Sequence, residues 1–410
     1  MISTASPPLA GLRVLDLSRV LAGPWCAQTL SDLGAEVIKV ERPGVGDDTR
    51  AWGPPYARDA DGAPTSESAY FLSANRGKRS VTIELAHPKG QAIVRRLAER
   101  ADVVIENFKV GGLAKYGLDY ASLAALNPRL IYCSITGFGQ SGPYRDRPGY
   151  DFMIQALGGL MSVTGESPER PGGAPMKVGV ALADVLSGLY ATIGILAALN
   201  RRAVTGKGEH VDIALLDVQV AALANQALNY LTSGIAPGRL GNAHPNIVPY
   251  EAFQTKDGYV IVAVGNDGQF RSFCAVAGRP ELAADGRFAT NPERVRNRAV
   301  LIPIVQELIR AETTDGWLAK LTAAGVPCGP VNTLDAVFDD AQVKARGLRL
   351  DLPHTSAGTV PSVACPIRYA ETPLAMTSGP PCLGEHTDAV LAELGLGADE
   401  IAALKAEGAV

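Results

Sequence analysis

The sequence predicts an α/β fold, and three patterns support this prediction. The chain begins with the order strand, helix, strand that is typical of the start of a parallel sheet. The three segments are GLRVLDL, a helical PWCAQTLSDLGA that opens at Pro24, and VIKVER. Two further apolar runs, DVVIENF and LIYCSITGFG, end in turn residues, and the helical pattern HPKGQAIVRRLAERA precedes them. Finally, YEAFQTKDGYVIVAVG is typical of a hairpin that turns at Lys256-Asp257-Gly258, which predicts a second, smaller α+β domain.

The overall composition is that of an ordinary globular protein. Of 410 residues 47% are hydrophobic, and 38 Lys and Arg against 42 Asp and Glu leave a formal charge of −4. This balance does not attract nucleic acid or acidic membranes. The N-terminal segment lacks the pattern of a leader, and no later run reaches the ~18 uncharged apolar residues of a spanning helix. We therefore expect a cytoplasmic protein with neither nucleic-acid nor membrane partners.

The sequence contains no motif that is typical of a metal site or of a redox cofactor. The six cysteines are scattered without CxxC spacing, and the five histidines form no HExxH pair. The dinucleotide fingerprint GxGxxG is absent from the first strand–helix turn, which has SRVLAGPW instead. No metal and no tightly bound cofactor are expected, and an NAD-dependent oxidoreductase is the disfavoured alternative.

Cations follow the early predicted strands. Arg19 lies after the first strand, Arg42 directly after VIKVE, and Arg76 and Lys78 follow YFLSA. Ligands of open α/β sheets bind at the carboxyl ends of strands, where Arg and Lys suit phosphate groups. Two interpretations stay open at this point: a site for a nucleotide-like ligand, or solvated surface charges.

Asp184 and Tyr150 are the candidates for chemistry. Asp184 begins an apolar run of 16 residues, to Leu199, that predicts a buried helix. Its carboxylate is a helix N-cap, a nucleophile stabilised by nearby donors, or both. Tyr150 follows a Pro/Gly-rich loop and is either a packing residue or a hydrogen-bond donor to a reacting carbonyl.

Several segments, in order along the chain, resemble the class III CoA-transferases. They are GLRVLDLSRVLAGP, LGAEVIKVERPG, NRGKRSVTIEL, ADVVIENF, LNPRLIYCSITGFGQSGPY, LADVLSGLYATIGILAAL and CLGEHTDAVLAELG. The family includes formyl-CoA transferase, carnitine CoA-transferase and α-methylacyl-CoA racemase, and SRVLAGP, ERPGVGDDTRAWGPP and AHPNIVPYEAFQTKDGYVIVAVGN look closest to its succinyl-CoA:glutarate branch. The resemblance implies coenzyme A or acyl-CoA as a substrate, carboxylic acids as partners, and an interlocked homodimer.

The resemblance also implies a domain organisation. Residues 1–215 form the first part of a large Rossmann-like, CoA-binding domain, and 216–239 form a linker helix. A small α+β domain spans 240–330, and 331–410 link it back to the large domain.

Carried over residue by residue, the resemblance implies the site. Asp184 attacks the donor thioester to give an aspartyl anhydride and then an enzyme thioester, with Tyr150 and the backbone N–H groups near Gly241 and Asn242 as oxyanion donors. The positions implied to contact CoA are Val20, Ala22, Arg42, Leu72, Asn75, Arg76, Lys78, Asn107, Phe108, Lys115 and Asp151.

Specificity is predicted less directly. A small dicarboxylate acceptor is expected, its distal carboxylate held by Arg19 and Arg50, unless these arginines pair with Asp16, Asp47 or Asp48. Leu21 stands where formyl-CoA transferase has glutamine, which disfavours oxalate. The main alternative is a racemase of the same fold, but Tyr150 occupies the position of its proton-transferring histidine. A catalytically silent CoA-binding scaffold is a further alternative.

Overall fold

The structure is a computed structural model that describes residues 6–410. Within these residues there are thirteen strands, eighteen α-helices and two short 3₁₀-helices. The strands are β1 (Arg13–Asp16), β2 (Glu36–Glu41), β3 (Tyr56–Arg58), β4 (Pro64–Ser68), β5 (Lys78–Thr82), β6 (Val103–Glu106), β7 (Ile131–Thr136), β8 (Glu209–Ala214), β9 (Tyr250–Gln254), β10 (Tyr259–Ala263), β11 (Cys328–Pro330), β12 (Arg349–His354) and β13 (Gly358–Val363).

The helices account for most of the remaining regular structure. They are α1 (Ala22–Asp32), α2 (Ala69–Ser73), α3 (Pro88–Arg100), α4 (Tyr120–Leu126), α5 (Asp151–Leu157), α6 (Leu160–Val163), α7 (Leu182–Thr205), α8 (Leu215–Ala222), α9 (Ala224–Ser233), α10 (Asp267–Val276), α11 (Glu281–Ala284), α12 (Asn291–Arg296), α13 (Arg298–Arg310), α14 (Thr314–Ala323), α15 (Leu334–Asp339), α16 (Ala341–Ala345), α17 (Thr387–Glu393) and α18 (Ala398–Ala406).

A six-stranded parallel sheet forms the centre of the larger compact unit. Its order is β5-β2-β1-β6-β7-β8, and every neighbouring pair is parallel. One face carries α1 and α7, whose buried side chains form one core with β1, β2, β6 and β7. The other face carries α3 and α4 together with the C-terminal helices α17 and α18. The predicted α/β, Rossmann-like fold is thus confirmed.

The contact between α1 and α7 brings two backbones close together. Gly188 of α7 lies against α1, and a Cβ atom at this position would be 2.6 Å from the Ala22 carbonyl oxygen. A larger residue would push α7 away from α1 and move the start of α7 with it.

The smaller compact unit has its own sheet and core. The strands β9 and β10 pair antiparallel around the predicted turn, and β11 adds to β10. Helices α10, α13 and α14 contribute buried residues such as Phe273, Val305 and Trp317 to this core.

The boundaries of the compact units differ from those in the sequence prediction. The larger unit comprises 6–160, 178–224 and 341–410, and the smaller one 161–177 and 225–340. The segment predicted as one linker helix, 216–239, contains α8 and α9. Residues 161–177 join the smaller unit because the Gly241 N–H donates to the Gly165 carbonyl and Arg239 donates to the Glu166 carbonyl.

Helix α7 is longer than predicted. It has 24 residues, and by length and composition it is the one helix among residues 6–410 that is able to cross a membrane, contrary to the sequence prediction. Core helices pass the same test. Ala191 and Ile195 are completely buried in the core of the larger unit, whereas Leu189, Tyr190 and Ile193 are exposed.

Candidate active site

A cleft of about 450 Å³ opens at the carboxyl ends of β1, β6 and β7. Ligands of parallel α/β sheets bind at this edge. The cleft brings together eight of the predicted site residues from five chain segments, namely Arg19, Val20, Ala22, Asn107, Phe108, Lys115, Tyr150 and Asp184.

Asp184 lies in the first turn of α7, at the wall of this cleft. Burial raises the pKa of its carboxyl to about 7, and the neighbouring Asp151 carboxylate adds to the shift. The N-cap of α7 is Ala181, three residues earlier, so the prediction that Asp184 is the N-cap is wrong. A carboxyl group with a raised pKa in a cleft is instead typical of a reactive group.

Tyr150 stands at the mouth of the same cleft with 67% of its surface exposed. It is the N-cap residue of α5, and its ring is not part of a core. The alternative interpretation of Tyr150 as a packing residue is therefore wrong. Its side chain is accessible to a bound ligand.

The first loop of the cleft has a strained backbone. Val20 has φ of 71°, which is rare for a β-branched residue. On one side the Asn107 amide donates to the Arg19 carbonyl at 2.7 Å and accepts from the Arg19 N–H at 2.9 Å. On the other, the Val20 N–H donates to both carboxylate oxygens of Asp47 at 3.2 Å. Asn107 therefore shapes the loop with its side chain, where the prediction had it contacting CoA.

A second, adjoining cleft of about 230 Å³ extends toward β2. It shares Arg19, Asp48, Phe108 and Tyr116 with the first cleft. Arg42 lines it, is exposed, and has no carboxylate partner within residues 6–410. Lys115, which lines the first cleft, has its ammonium 4.6 Å from the Tyr116 ring centre. These two cations are available to phosphate groups.

The structure corrects the prediction that the side chains of the NRGK segment, residues 75–78, contact CoA. The ammonium of Lys78 is completely buried and donates to Asp16, the Pro24 carbonyl and Asn75. Its three donors are used, so it has none left for a phosphate. The buried Arg76 pairs with Asp32 at 2.6 Å.

Asn75 of the same segment and Leu72, three residues before it, are also inside the protein. Asn75 is completely buried and donates to the Phe71 carbonyl, and Leu72 packs with Ala357 and Val360. The side chains of all four residues support the fold beneath the cleft. Their prediction as CoA ligands through these side chains is wrong.

Arg50 is also placed differently from the prediction. Its guanidinium donates twice to Glu41 at 2.8 Å, once to Glu67 at 3.1 Å and once to the Pro381 carbonyl. A buried arginine with these partners has no free pair of donors for a substrate carboxylate. Arg19 does reach the cleft, paired with exposed Asp48 at 3.1 Å.

The predicted oxyanion donors of the smaller unit are also corrected. The Gly241 N–H is already used by the Gly165 carbonyl at 3.0 Å. Asn242 is exposed on the same turn. The Ala22 N–H is a better candidate, because α1 begins at Ala22 and its N-cap, Leu21, provides no side-chain hydrogen bond.

One group of side chains in residues 6–410 has ligand atoms close enough for a metal ion. Atoms of Glu67, His354 and Cys382 lie within 4.8 Å of one another. The Nδ1 atom of His354 accepts from the Ser356 and Ala357 N–H groups at 3.3 Å. Nε2 of the neutral ring therefore carries the proton and offers no lone pair, so the donor set does not suit a metal.

Two buried ionisable residues near the cleft, Lys39 and Glu106, were missed by the sequence analysis. Lys39 and Asp47 form a completely buried ion pair at 2.9 Å. Burial alone would raise the pKa of Asp47, but Lys39 and hydrogen bonds from Thr49 lower it to about 2. The sequence feature that could have indicated this buried pair was a lysine inside the apolar strand VIKVE. Glu106, whose pKa burial raises to about 7, precedes Asn107 and accepts from the Phe108 N–H.

Fold and site together describe an α/β protein with a carboxyl group of raised pKa in a cleft at the carboxyl edge of its parallel sheet. The chain belongs to CoA-transferase family III, whose model matches residues 9–387. It is similar to the succinate–glutarate CoA-transferase of Agrobacterium fabrum, with 55% identity over 95% of this chain and 96% of that protein. It is 45% identical to human succinyl-CoA:glutarate CoA-transferase, over 94% of this chain and 86% of that one.

A solved structure is similar throughout. A CAIB/BAIF family protein from Brucella suis has 54% identity and a TM-score of 0.83, covering 95% of this chain and 100% of that one. The protein is thus a CoA-transferase that acts between acyl-CoA and carboxylate substrates, as the resemblance implied.

Proposed function

We propose that the protein transfers CoA from succinyl-CoA to a small dicarboxylate such as glutarate, with Asp184 as the covalent nucleophile. The Asp184 carboxylate carries the proposal, because it is desolvated and stands at the cleft wall where the loop of Val20 and Ala22 also lies. A carboxyl with a pKa of about 7 is more basic than an ordinary aspartate and is still substantially ionised at neutral pH.

The reaction proceeds in balanced steps. The Asp184 carboxylate attacks the thioester carbonyl, the C–S bond breaks, and CoA leaves as a thiolate. The thiolate attacks the aspartyl carbonyl of the resulting anhydride, which releases the donor acid and leaves an enzyme thioester. An acceptor carboxylate then attacks the enzyme thioester, which releases the CoA thiolate and forms a second anhydride. The thiolate attacks the acceptor carbonyl of this anhydride, which gives the new acyl-CoA and regenerates the Asp184 carboxylate. The Ala22 N–H and the Tyr150 hydroxyl are the proposed oxyanion donors.

The CoA moiety is proposed to extend from the first cleft into the second. Arg42 and Lys115 meet its phosphate groups, and Phe108, which lines both clefts, contacts an apolar part of the ligand.

The dicarboxylate proposal rests on the substrates for which the two relatives are named and on Arg19. The Arg19–Asp48 ion pair is exposed, and such pairs contribute only about 0–1 kcal/mol. Exchange of Asp48 for a substrate carboxylate therefore costs little. Comparison of kcat/KM for glutarate and succinate with butyrate, formate and oxalate tests this part, and a preference for monocarboxylates contradicts it.

The nucleophile is tested by trapping. Wild-type protein incubated with succinyl-CoA and then hydroxylamine should carry the modification on Asp184 alone, as determined by peptide mass. Asp184→Ala should lose transfer but keep CoA binding, whereas Asp217→Ala, an exposed aspartate in the first turn of α8, should keep both. Substantial activity in Asp184→Ala contradicts the proposal.

We further infer a homodimer in the cytoplasm. The exposed apolar side chains Leu189, Tyr190 and Ile193 on α7 support an interface between two copies, because such a patch is rarely left in water. Light scattering at several protein concentrations tests the oligomeric state.

A further inference from the structure

Asp151 faces helix α7. It is the first residue of α5, and its Oδ1 atom accepts the Ala183 N–H at 2.8 Å and the Asp184 N–H at 3.3 Å. Resting on the proposed function, we infer that Asp151 is a positioning residue that fixes the first turn of α7 and thereby aims Asp184 into the cleft. The prediction that it contacts CoA is replaced by this role.

Helix α7 has no cap of its own. Its N-cap residue, Ala181, has no side-chain acceptor, although the first N–H groups of any helix lack partners within the helix. Asp151 satisfies two of them from a different helix. The acceptor is the carboxylate itself, so the backbone of Asp184 and the side chain of Asp151 are joined directly.

Asp151 is in turn held in place by buried Gln155. The Gln155 amide donates to Oδ2 of Asp151 at 2.7 Å, and its oxygen accepts the Val178 N–H at 2.9 Å. The same amide thus ties α5 to the segment that leads into α7. A surface aspartate that only contacted a passing ligand would not require these two partly buried hydrogen bonds.

Asp151 also brings a negative charge next to the nucleophile. The other carboxylates of the cleft wall, Asp48 and Asp146, pair with Arg19 and Arg145. Tyr70 lies near both Asp184 and Asp151, and burial followed by these charges raises the pKa of its phenol, which keeps it neutral. The remaining cations of the cleft wall are Lys109, Lys115 and Arg147.

The unpaired charge of Asp151 therefore acts on Asp184 and favours its protonated form. Burial is the larger cause of the raised pKa of Asp184, and Asp151 is the second. Removal of the Asp151 charge with the cap retained should make Asp184 ionise at lower pH.

The experiment measures the rate at which succinyl-CoA modifies Asp184 between pH 5.5 and 8.5. Asp151→Asn keeps an oxygen acceptor for the cap and removes the charge. We expect its ratio of the rate at pH 6 to the rate at pH 8.5 to rise about threefold or more over wild type. Asp151→Ala removes the cap as well as the charge, so we expect the same rise in this ratio together with a loss of about tenfold at pH 8.5, where Asp184 is ionised in every variant. The KM for succinyl-CoA should stay within about twofold in both variants. Asp217→Asn is the control for loss of one negative charge.

The outcomes separate the two proposals. An unchanged rate in Asp151→Ala, with Asp184 still modified, overturns the positioning role, and an unchanged pH ratio in Asp151→Asn overturns the effect of the charge; both outcomes leave the proposed function standing. A large rise in the KM for succinyl-CoA with an unchanged maximal rate also overturns the positioning role, since that makes Asp151 a CoA ligand. If wild-type Asp184 is never modified, both proposals fall. Asp151→Ser, which also keeps an oxygen acceptor without the charge, replaces Asp151→Asn if the latter does not fold.

Discussion

Replacement of Asp184 by asparagine should stabilise the folded protein at neutral and alkaline pH. The folded-state pKa of Asp184 is about 7, against an ordinary value of 3.8. An acid with a raised pKa binds its proton more tightly when folded, so its ionisation disfavours the folded state as pH rises between these values. The difference corresponds to about 4 kcal/mol at about 1.36 kcal/mol per pH unit. Asparagine has the same shape and no such cost.

Urea denaturation of both proteins at pH 5, 6, 7 and 8.5, at one protein concentration, measures the effect. The gain in unfolding free energy of Asp184→Asn should grow by about 2–3 kcal/mol from pH 5 to pH 7 and then level off. Asp217→Asn, in the first turn of α8 but exposed, should show a small difference that does not vary with pH. A gain for Asp184→Asn that is the same at every pH refutes the argument that folding disfavours the ionised form of this carboxyl group.

Two further predictions concern the groups beneath and beside the cleft. Arg50→Ala should lower the unfolding free energy by about 3–5 kcal/mol, measured by urea denaturation, because buried Glu41 and Glu67 lose their partner; an unaltered stability with a changed preference for glutarate over butyrate would restore Arg50 as a substrate ligand. Val20→Gly should be more stable than Val20→Ala by about 1 kcal/mol, because glycine adopts the φ of 71° without strain, and the usual order, alanine above glycine, would contradict the strained loop.

Much of the fold followed from local patterns. The first strand, helix and strand, the helix after His87 and the hairpin around Lys256-Asp257-Gly258 are each determined by the spacing of apolar residues and by turn residues, and the structure has all of them. Segments of this kind are predictable because their periodicity depends on which face is buried and on little else.

The composition of the site was predictable only in part. Arg19, Arg42, Lys115 and Asp184 follow strands or begin a buried helix, and a sequence shows such positions directly. Whether a cation is free or already paired depends on partners that are far away in the chain. Arg50 bonds to Glu67 and Pro381, and Arg76 bonds to Asp32 and Val363, so these arginines serve the fold.

The sequence by itself determined the family, the parallel sheet and the identity of the candidate nucleophile. Only the tertiary structure decided the roles of the residues around that nucleophile. Asp151, 33 positions before Asp184, faces the first turn of α7 because two helices meet there, and Asn107 holds the backbone of Arg19, 88 positions earlier. Hydrogen bonds between distant segments leave no periodic trace in a single sequence, since any polar residue in a loop offers the same donors and acceptors.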